Sequence, residues 1–265
     1  MYVTDKYSQI YSLAKQYLTD ITPKEISIEE LGKYFNISKS FTTINDIMYQ
    51  LLDSLQNNQM MPNVIGFKNP DRIPIFKEIF FDYDPKLILD KYPSFNDLFF
   101  KFTENFEIKN KDSKKNLWLR YAKSVMSACS FISTFKDATD FDNFVNSFSY
   151  NEFTIASLPM LLEKEIFGLG FPLACDFLKE LGYTQYPKPD VHIKDILVAF
   201  DLCENNDFDA YKAVIKMAKI NNDTPYNVDK VLWLICSGRF YLHNIEIKRH
   251  KANFISFVRY SLSYP

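Results

Sequence analysis

The sequence predicts an all-α protein, and three observations carry that expectation. Apolar residues recur at i, i+3, i+4 and i+7 through most of the 265 residues. Residues suited to cap a helix stand directly before several of these stripes. No segment alternates apolar and polar side chains as a half-buried strand does.

The elements follow in order. Ile10, Leu13, Ala14, Tyr17 and Leu18 form one stripe, and Ile44, Ile47, Met48, Leu51 and Leu52 form a second introduced by Thr42 or Thr43. Residues 58–75, with Pro62, Gly66, Pro70 and Pro74, read as an irregular linker. Leu87–Leu89 and Phe95–Phe106 give two short helices, the second capped by Ser94. A longer helix is expected from Lys114 to Phe131, and Thr139 introduces another through Phe141, Phe144, Val145 and Phe148. Ser157 and Pro159 mark the start of a helix ending near Ile166. Leu173, Ala174, Phe177, Leu178 and Leu181 define the next, stopped by Gly182. Asp190 caps a helix running to Leu202, and helices near 207–220 and 227–236 follow, the last closed by Ser237-Gly238.

Composition limits the function. Hydrophobic residues make up 47% and the formal net charge is −2, so the chain has a core but no global basic signature for nucleic acid. No apolar run approaches the ~18 residues of a membrane span. The N-terminal residues lack the charged-then-apolar pattern of a signal peptide. The expectation is a cytoplasmic protein with no membrane partner. Cys129, Cys175, Cys203 and Cys236 are widely spaced, with no CxxC, which argues against zinc or an iron–sulfur cluster and for buried thiols. Charge is unevenly spread: residues 101–123 and 239–265 each carry net +4, around a middle of net −7. Lys109, Lys111, Lys114 and Lys115, with Lys248, Arg249 and Lys251, can bind phosphate or simply face solvent.

Three of the six glycines, Gly168, Gly170 and Gly182, lie within fifteen residues. A chain this sparing with glycine has a geometric reason to place two of them one residue apart. Between two helices, Gly168 and Gly170 let backbone N–H groups turn outward. The helix that begins at Phe171, with Pro172 in its first turn, adds its exposed amides, a favourable place for a phosphate. Asp190 and His192 follow shortly after. The same residues also make an ordinary tight turn and an ordinary helix cap.

The run Phe167-Gly168-Leu169-Gly170, Ala174 and Asp190-Val191-His192 resembles the helix–hairpin–helix DNA glycosylase superfamily, which includes endonuclease-III-like, 8-oxoguanine and alkyladenine glycosylases. The specific likeness spans about 40 residues, 157–200. It implies two helical subdomains with a cleft between them: an N-terminal helical region, 1–108, and a glycosylase-like region, 109–265, with its hairpin at 157–182. It implies double-stranded DNA as partner, with Gly168, Gly170, Phe171, Lys188 and His192 at the phosphates. Asp190 would be the catalytic carboxylate that stabilises positive charge on the sugar as the base leaves. Trp118, Tyr121 and Ser124 share a helix and are candidates for the base pocket, although aromatic residues are so plentiful that core packing is the better reading of any one of them. No cofactor is expected, although the family also holds a structural monovalent cation on hairpin carbonyls.

One departure matters. Bifunctional members carry a nucleophilic lysine two residues after the second glycine, where this chain has Pro172. A proline within a chain cannot form a Schiff base. The expected activity is therefore that of a monofunctional glycosylase in base excision, hydrolysing the N-glycosidic bond of a damaged or mismatched base. Lys188 could in principle supply an amine, but its position suits phosphate or solvent better. The alternatives are a non-catalytic DNA-binding protein on the same scaffold and an interaction protein whose GxG is only a turn.

Overall fold

The computed structural model of the protein describes residues 3–58 and 61–262. Among them the architecture is all-helical apart from one short antiparallel ladder. The chain begins in one compact unit with α1 (Val3–Ile21) and α2 (Ile28–Gly32). It then builds a second unit, residues 39–181, from α3 (Ile44–Gln56), α4 (Met61–Ile65), α5 (Ile73–Ile79), α6 (Pro85–Lys91), α7 (Phe95–Asn105), α8 (Leu117–Ile132), α9 (Ala138–Ser147), α10 (Glu152–Glu165) and α11 (Phe171–Glu180). It returns to the first unit for α12 (Val191–Ala199), α13 (Asp207–Ile220), α14 (Pro225–Ser237), the ladder β1 (Arg239–Phe240) with β2 (Ile245–Glu246), and α15 (Lys251–Ser261). The break expected at 108/109 falls inside the second unit. The loop there is short and tightly bonded, and it joins α7 to α8, which pack on each other.

In the 39–181 unit, α8 is the central helix, packed against α3, α4, α6 and α7. Trp118, Tyr121, Val125, Ala128, Cys129 and Ile132 bury its inner faces. Stacked and tilted rings of Phe67, Phe76, Phe80, Phe102, Phe106 and Trp118 form the aromatic end of this core, with the Phe106 and Trp118 centroids 4.5 Å apart. The expected linker at 58–75 is part of this core. Phe67 and Ile65 are buried. The Gln56 side chain accepts the Phe67 N–H at 2.9 Å, and the Arg72 guanidinium donates to the carbonyls of Val64 and Ile65, each at 2.6 Å. Prolines and a glycine here shape a folded turn whose polar groups are satisfied by side chains. Gln59 and Met60 of that segment lie outside the described residues.

Helix starts mostly follow their caps. Thr43 and Ser94 each close a capping box, as their positions predict. Two starts differ. Asp137, not Thr139, caps α9, and α10 begins at Glu152 because Asn151 caps it, leaving Pro159 inside the helix. The Asn151 side chain bonds two first-turn amides, an earlier start signal than the proline.

In the other unit α14 is central and packs on α1, α12 and α13. Leu232, Ile235 and Val228 meet Ile10, Tyr11 and Ala14 of α1 and Val214, Met217 and Ala218 of α13 in one core. Helix α14 ends at Gly238, whose φ of +66° and close approach to the Ile247 carbonyl, 2.5 Å from any added Cβ, admit only glycine. Helix α12 stops at Ala199, three residues short of the expected end.

Candidate functional site

The hairpin lies in the 39–181 unit. After α10, Ile166 is extended, Phe167 is exposed, and Gly168 takes φ +82°. Leu169, 1% exposed, pins the loop into the core. Gly170 is the N-cap of α11 at φ −66° and ψ 161°, and Pro172 sits within the first turn. The two glycines therefore differ in purpose. Only Gly168 needs a left-handed backbone, and a Cβ there would stand 2.7 Å from Ser124 Oγ. A Cβ on Gly170 would meet nothing closer than Pro172, 4.0 Å away. Gly170 gives α11 no capping side chain, so the positive end of that helix is uncovered by its own cap.

Three side chains hold the hairpin. Ser127 Oγ accepts the Phe167 N–H at 2.9 Å, and Asn58 Nδ2 donates to the Gly168 carbonyl at 2.9 Å. Ser124 stands directly under Gly168. Among the described residues the N–H groups of Gly168 and Gly170 have no hydrogen-bond partner. The ring of Phe171 is buried, so its place at the helix start is a backbone one.

The expected base pocket is corrected. Tyr121 is fully buried with its hydroxyl on the Leu52 carbonyl, and Ser124 is 2% exposed with its hydroxyl on the Arg120 carbonyl. Trp118 borders a cavity of about 420 Å³ with Ile108, Lys109, Lys115 and Asn116. Its ring contacts Phe76, Phe102, Phe106 and the Arg72 guanidinium, so it meets the cavity as part of the core. These residues share the inward face of α8 and are core residues, not the walls of one pocket. Buried Asn116 builds the loop beside them. Its amide donates to the carbonyls of Lys109 and Asn110, and its oxygen accepts the N–H groups of Trp118 and Leu119. Lys109, Lys111, Lys114 and Lys115 are exposed on that loop, without an ion pair among the described residues.

Asp190 lies in the other unit. Lys188-Pro189-Asp190 forms a tight turn in which the Asp190 N–H meets the Lys188 carbonyl at 2.8 Å. The Lys188 N–H is held by Asp229 Oδ2 at 2.7 Å. Asp190 Oδ1 accepts the N–H groups of His192 and Ile193 at 2.8 and 3.0 Å. Oδ2 has no hydrogen bond or ion pair among the described residues. The carboxylate is half-buried, one oxygen fixed and the other available. His192, in the first turn of α12, keeps Nδ1 buried without a partner among the described residues. The tautomer with its proton on Nε2 leaves only a lone pair at that buried position. Cys236 lies nearby, its thiol pushed up to about 12 by burial and by the charge of Asp190. Around this unit Lys248 and Arg249 are exposed, while Lys251 pairs with Asp195 at 2.5 Å. A cavity of about 650 Å³ in the same unit is lined by Tyr7, Cys203, Lys212 and Lys216 and contains none of the expected site residues.

No group of three or more His, Cys, Asp or Glu side chains among the described residues could hold a metal ion. Among the described residues the hairpin carbonyls of Ile166, Gly168 and Gly170 accept hydrogen bonds. Asn58, Ser127, Asn116 and Asp229 are the residues that sequence reasoning missed. Only the Ser124–Ser127 spacing, which puts two hydroxyls on one helix face, gave a signal.

Comparison with protein-family models, curated proteins and solved structures gives no match for this chain. The geometry of these two regions therefore carries the functional reading.

Proposed function

We propose that the protein is a monofunctional DNA glycosylase-like enzyme that hydrolyses the N-glycosidic bond of a damaged or mismatched base in double-stranded DNA. The state of Asp190 carries this reading. A helix start fixes one carboxylate oxygen by two N–H bonds and leaves the other uncommitted. A carboxylate held in this way can face the positive charge that develops on a sugar as its base departs, with no reorganisation at that moment. It can also orient the attacking water.

Other features support the reading. The hairpin offers the unpartnered N–H groups of Gly168 and Gly170 at an open helix start, a grip on the backbone that is independent of base sequence. His192, with Nδ1 buried, can offer Nε2–H to a phosphate. Pro172 excludes a Schiff base at its position, so the product is an abasic site without strand cleavage.

The deciding experiment incubates native protein and Asp190→Asn with duplexes bearing a panel of damaged or mismatched bases, then treats them with alkali. Native protein releases at least one base faster than the variant does. If no lesion is released, the enzymatic reading fails. Burial of Tyr121 and Ser124 favours a second reading in that case, a DNA-binding protein on the same scaffold, which retains salt-dependent duplex affinity without base release.

A further inference from the structure

We propose that the lysine-rich loop between α7 and α8 is a contact surface for a nucleic-acid backbone, an inference that rests on the DNA-binding part of the reading above. Lys109, Lys111, Lys114 and Lys115 stand exposed on one short loop, and none has an ion pair among the described residues. Other lysines of the same unit are treated differently. Lys68 pairs with Asp53 at 2.6 Å, Lys77 with Asp82 at 3.1 Å, Lys101 with Glu104 at 3.2 Å, and Lys39 with Asp142. The unpaired Lys86, Lys91 and Lys136 are scattered single charges. On the loop, four lysines face two carboxylates, Glu107 and Asp112, and neither carboxylate pairs with a lysine among the described residues. The segment keeps a positive surplus with no local relief.

For the protein alone this placement is unfavourable. The loop is held shut by Asn116 Nδ2 on the Lys109 and Asn110 carbonyls, by the Ser113 N–H on the Asn110 carbonyl at 3.0 Å, and by the Asn116 N–H on the Ser113 carbonyl at 2.9 Å. The lysines therefore cannot spread as they would on a free chain, and like charges stay close. Lys114 and Lys115 also directly precede the N-cap of α8, the positive end of a 16-residue helix, where a cation is disfavoured. The amides of Trp118 and Leu119 are taken by Asn116 Oδ1, so the lysines make the surface and the helix start does not. Charge that opposes both its neighbours and the helix dipole has its compensation outside the chain. The surface is concave as well. Lys109 and Lys115 border the cavity of about 420 Å³, with Ser113 between them and Ile108 and Trp118 at its apolar wall. Such walls concentrate the positive field in the depression, which suits the closely spaced phosphates of a strand. An anionic lipid surface fits less well, because none of the exposed large hydrophobic side chains lies between positions 106 and 119 to enter a headgroup layer.

The test uses the full chain and follows a fluorescently labelled undamaged duplex by anisotropy across a potassium chloride series. A loop variant changes Lys109, Lys111, Lys114 and Lys115 together to Gln. A control changes Lys24, Lys86, Lys91 and Lys136 to Gln, removing the same charge from scattered exposed sites. At about 0.1 M salt the loop variant binds about thirty- to a hundred-fold more weakly, and its slope of log affinity against log salt falls by about two, as two or more phosphate contacts are lost. The control stays within about threefold of native, since charges beyond a Debye length are screened. Arginine at the four loop positions keeps the native slope, and Asp112→Asn tightens binding. The urea midpoint of the loop variant lies at or above the native one, because repulsion and the opposed dipole are relieved. A midpoint below native would show that the lysines stabilise the loop, and it overturns the proposal. Equal losses in loop variant and control overturn it too, as does an unchanged slope in the loop variant, and both leave the DNA reading standing. Capture of native protein by phosphatidylserine-containing vesicles that the loop variant loses, with duplex binding unaltered, assigns the loop to a lipid surface instead. Absence of any salt-dependent duplex binding by native protein overturns the DNA reading and this surface together.

Discussion

The two hairpin glycines make a sharp quantitative test, because the structure assigns them opposite costs. Alanine at 168 must hold φ at +82°, a left-handed conformation that costs about 1–2 kcal/mol without glycine. Its Cβ would stand 2.7 Å from the buried Ser124 Oγ. That hydroxyl must swing off the Arg120 carbonyl or α8 must give way, adding about 1–2 kcal/mol. Gly168→Ala is therefore expected to lose about 3 kcal/mol of stability. Gly170→Ala keeps an ordinary backbone and meets only Pro172 at 4.0 Å, so its cost stays under about 1 kcal/mol. Urea unfolding followed by circular dichroism at 222 nm measures both, provided m is unchanged. The double variant Gly168→Ala with Ser124→Ala separates the two costs. Ser124 Cβ lies 3.8 Å from the new methyl, so the steric part is recovered and the backbone part remains, giving a favourable coupling energy in the cycle. A loss below about 1 kcal/mol for Gly168→Ala would refute the reasoning, as would equal losses at 168 and 170. Duplex affinity is expected to rank the sites the other way. Gly170→Leu leaves the urea midpoint near native and weakens binding, because its bulk stands at the open start of α11.

Three further outcomes follow from the geometry. Asp190→Ala removes two first-turn bonds from α12 and costs about 1 kcal/mol, whereas Asp190→Asn keeps the cap to within a few tenths and still abolishes base release; a variant stable but fully active would exclude this carboxylate from the chemistry. Asn116→Ala breaks four hydrogen bonds around the α7–α8 loop and is expected to cost about 2 kcal/mol and to speed tryptic cleavage at Lys109–Lys115, and unchanged cleavage would contradict the loop's dependence on that one side chain. Burial pushes the thiols of Cys203 and Cys236 up to about 11 and about 12, and the hydroxyls of Tyr83 and Tyr92 up to about 12. The folded state holds these protons more tightly than the unfolded chain, so their contribution is complete below about pH 9 and drains away as pH climbs to 12, and a urea midpoint unchanged between pH 8 and pH 11 would contradict it.

Much of the helical framework was legible because period and cap agreed. Thr43, Ser94 and Asp190 each stand one residue before their helix, and Gly182 and Gly238 each stand just past the end of one. Segment 58–75 misled because Pro and Gly signal a break in local structure, while the burial of Phe67 and the reach of Arg72 to two carbonyls depend on residues that meet only in the fold. Helix α15 escaped notice for want of a side-chain cap and with only Phe254 and Val258 buried. At the site, the sequence placed the glycines and Asp190 where helix ends need them. For the α8 residues, spacing marks a shared face without saying what that face meets. Trp118, Tyr121 and Ser124 lie on the inward side. Asn58 lies 110 residues from the carbonyl it holds, and no local pattern announces such a bond.

The chain's two ends share one unit, and this bears on how the protein is made. As it leaves the ribosome, α3 to α11 can close their own core, while α1 and α2 must wait, greasy faces unmatched, for α13 and α14 to be synthesised. The hairpin is thus finished early and the segment carrying Asp190 late. On the proposed reading, a nascent chain would be able to meet a phosphate well before it could release a base.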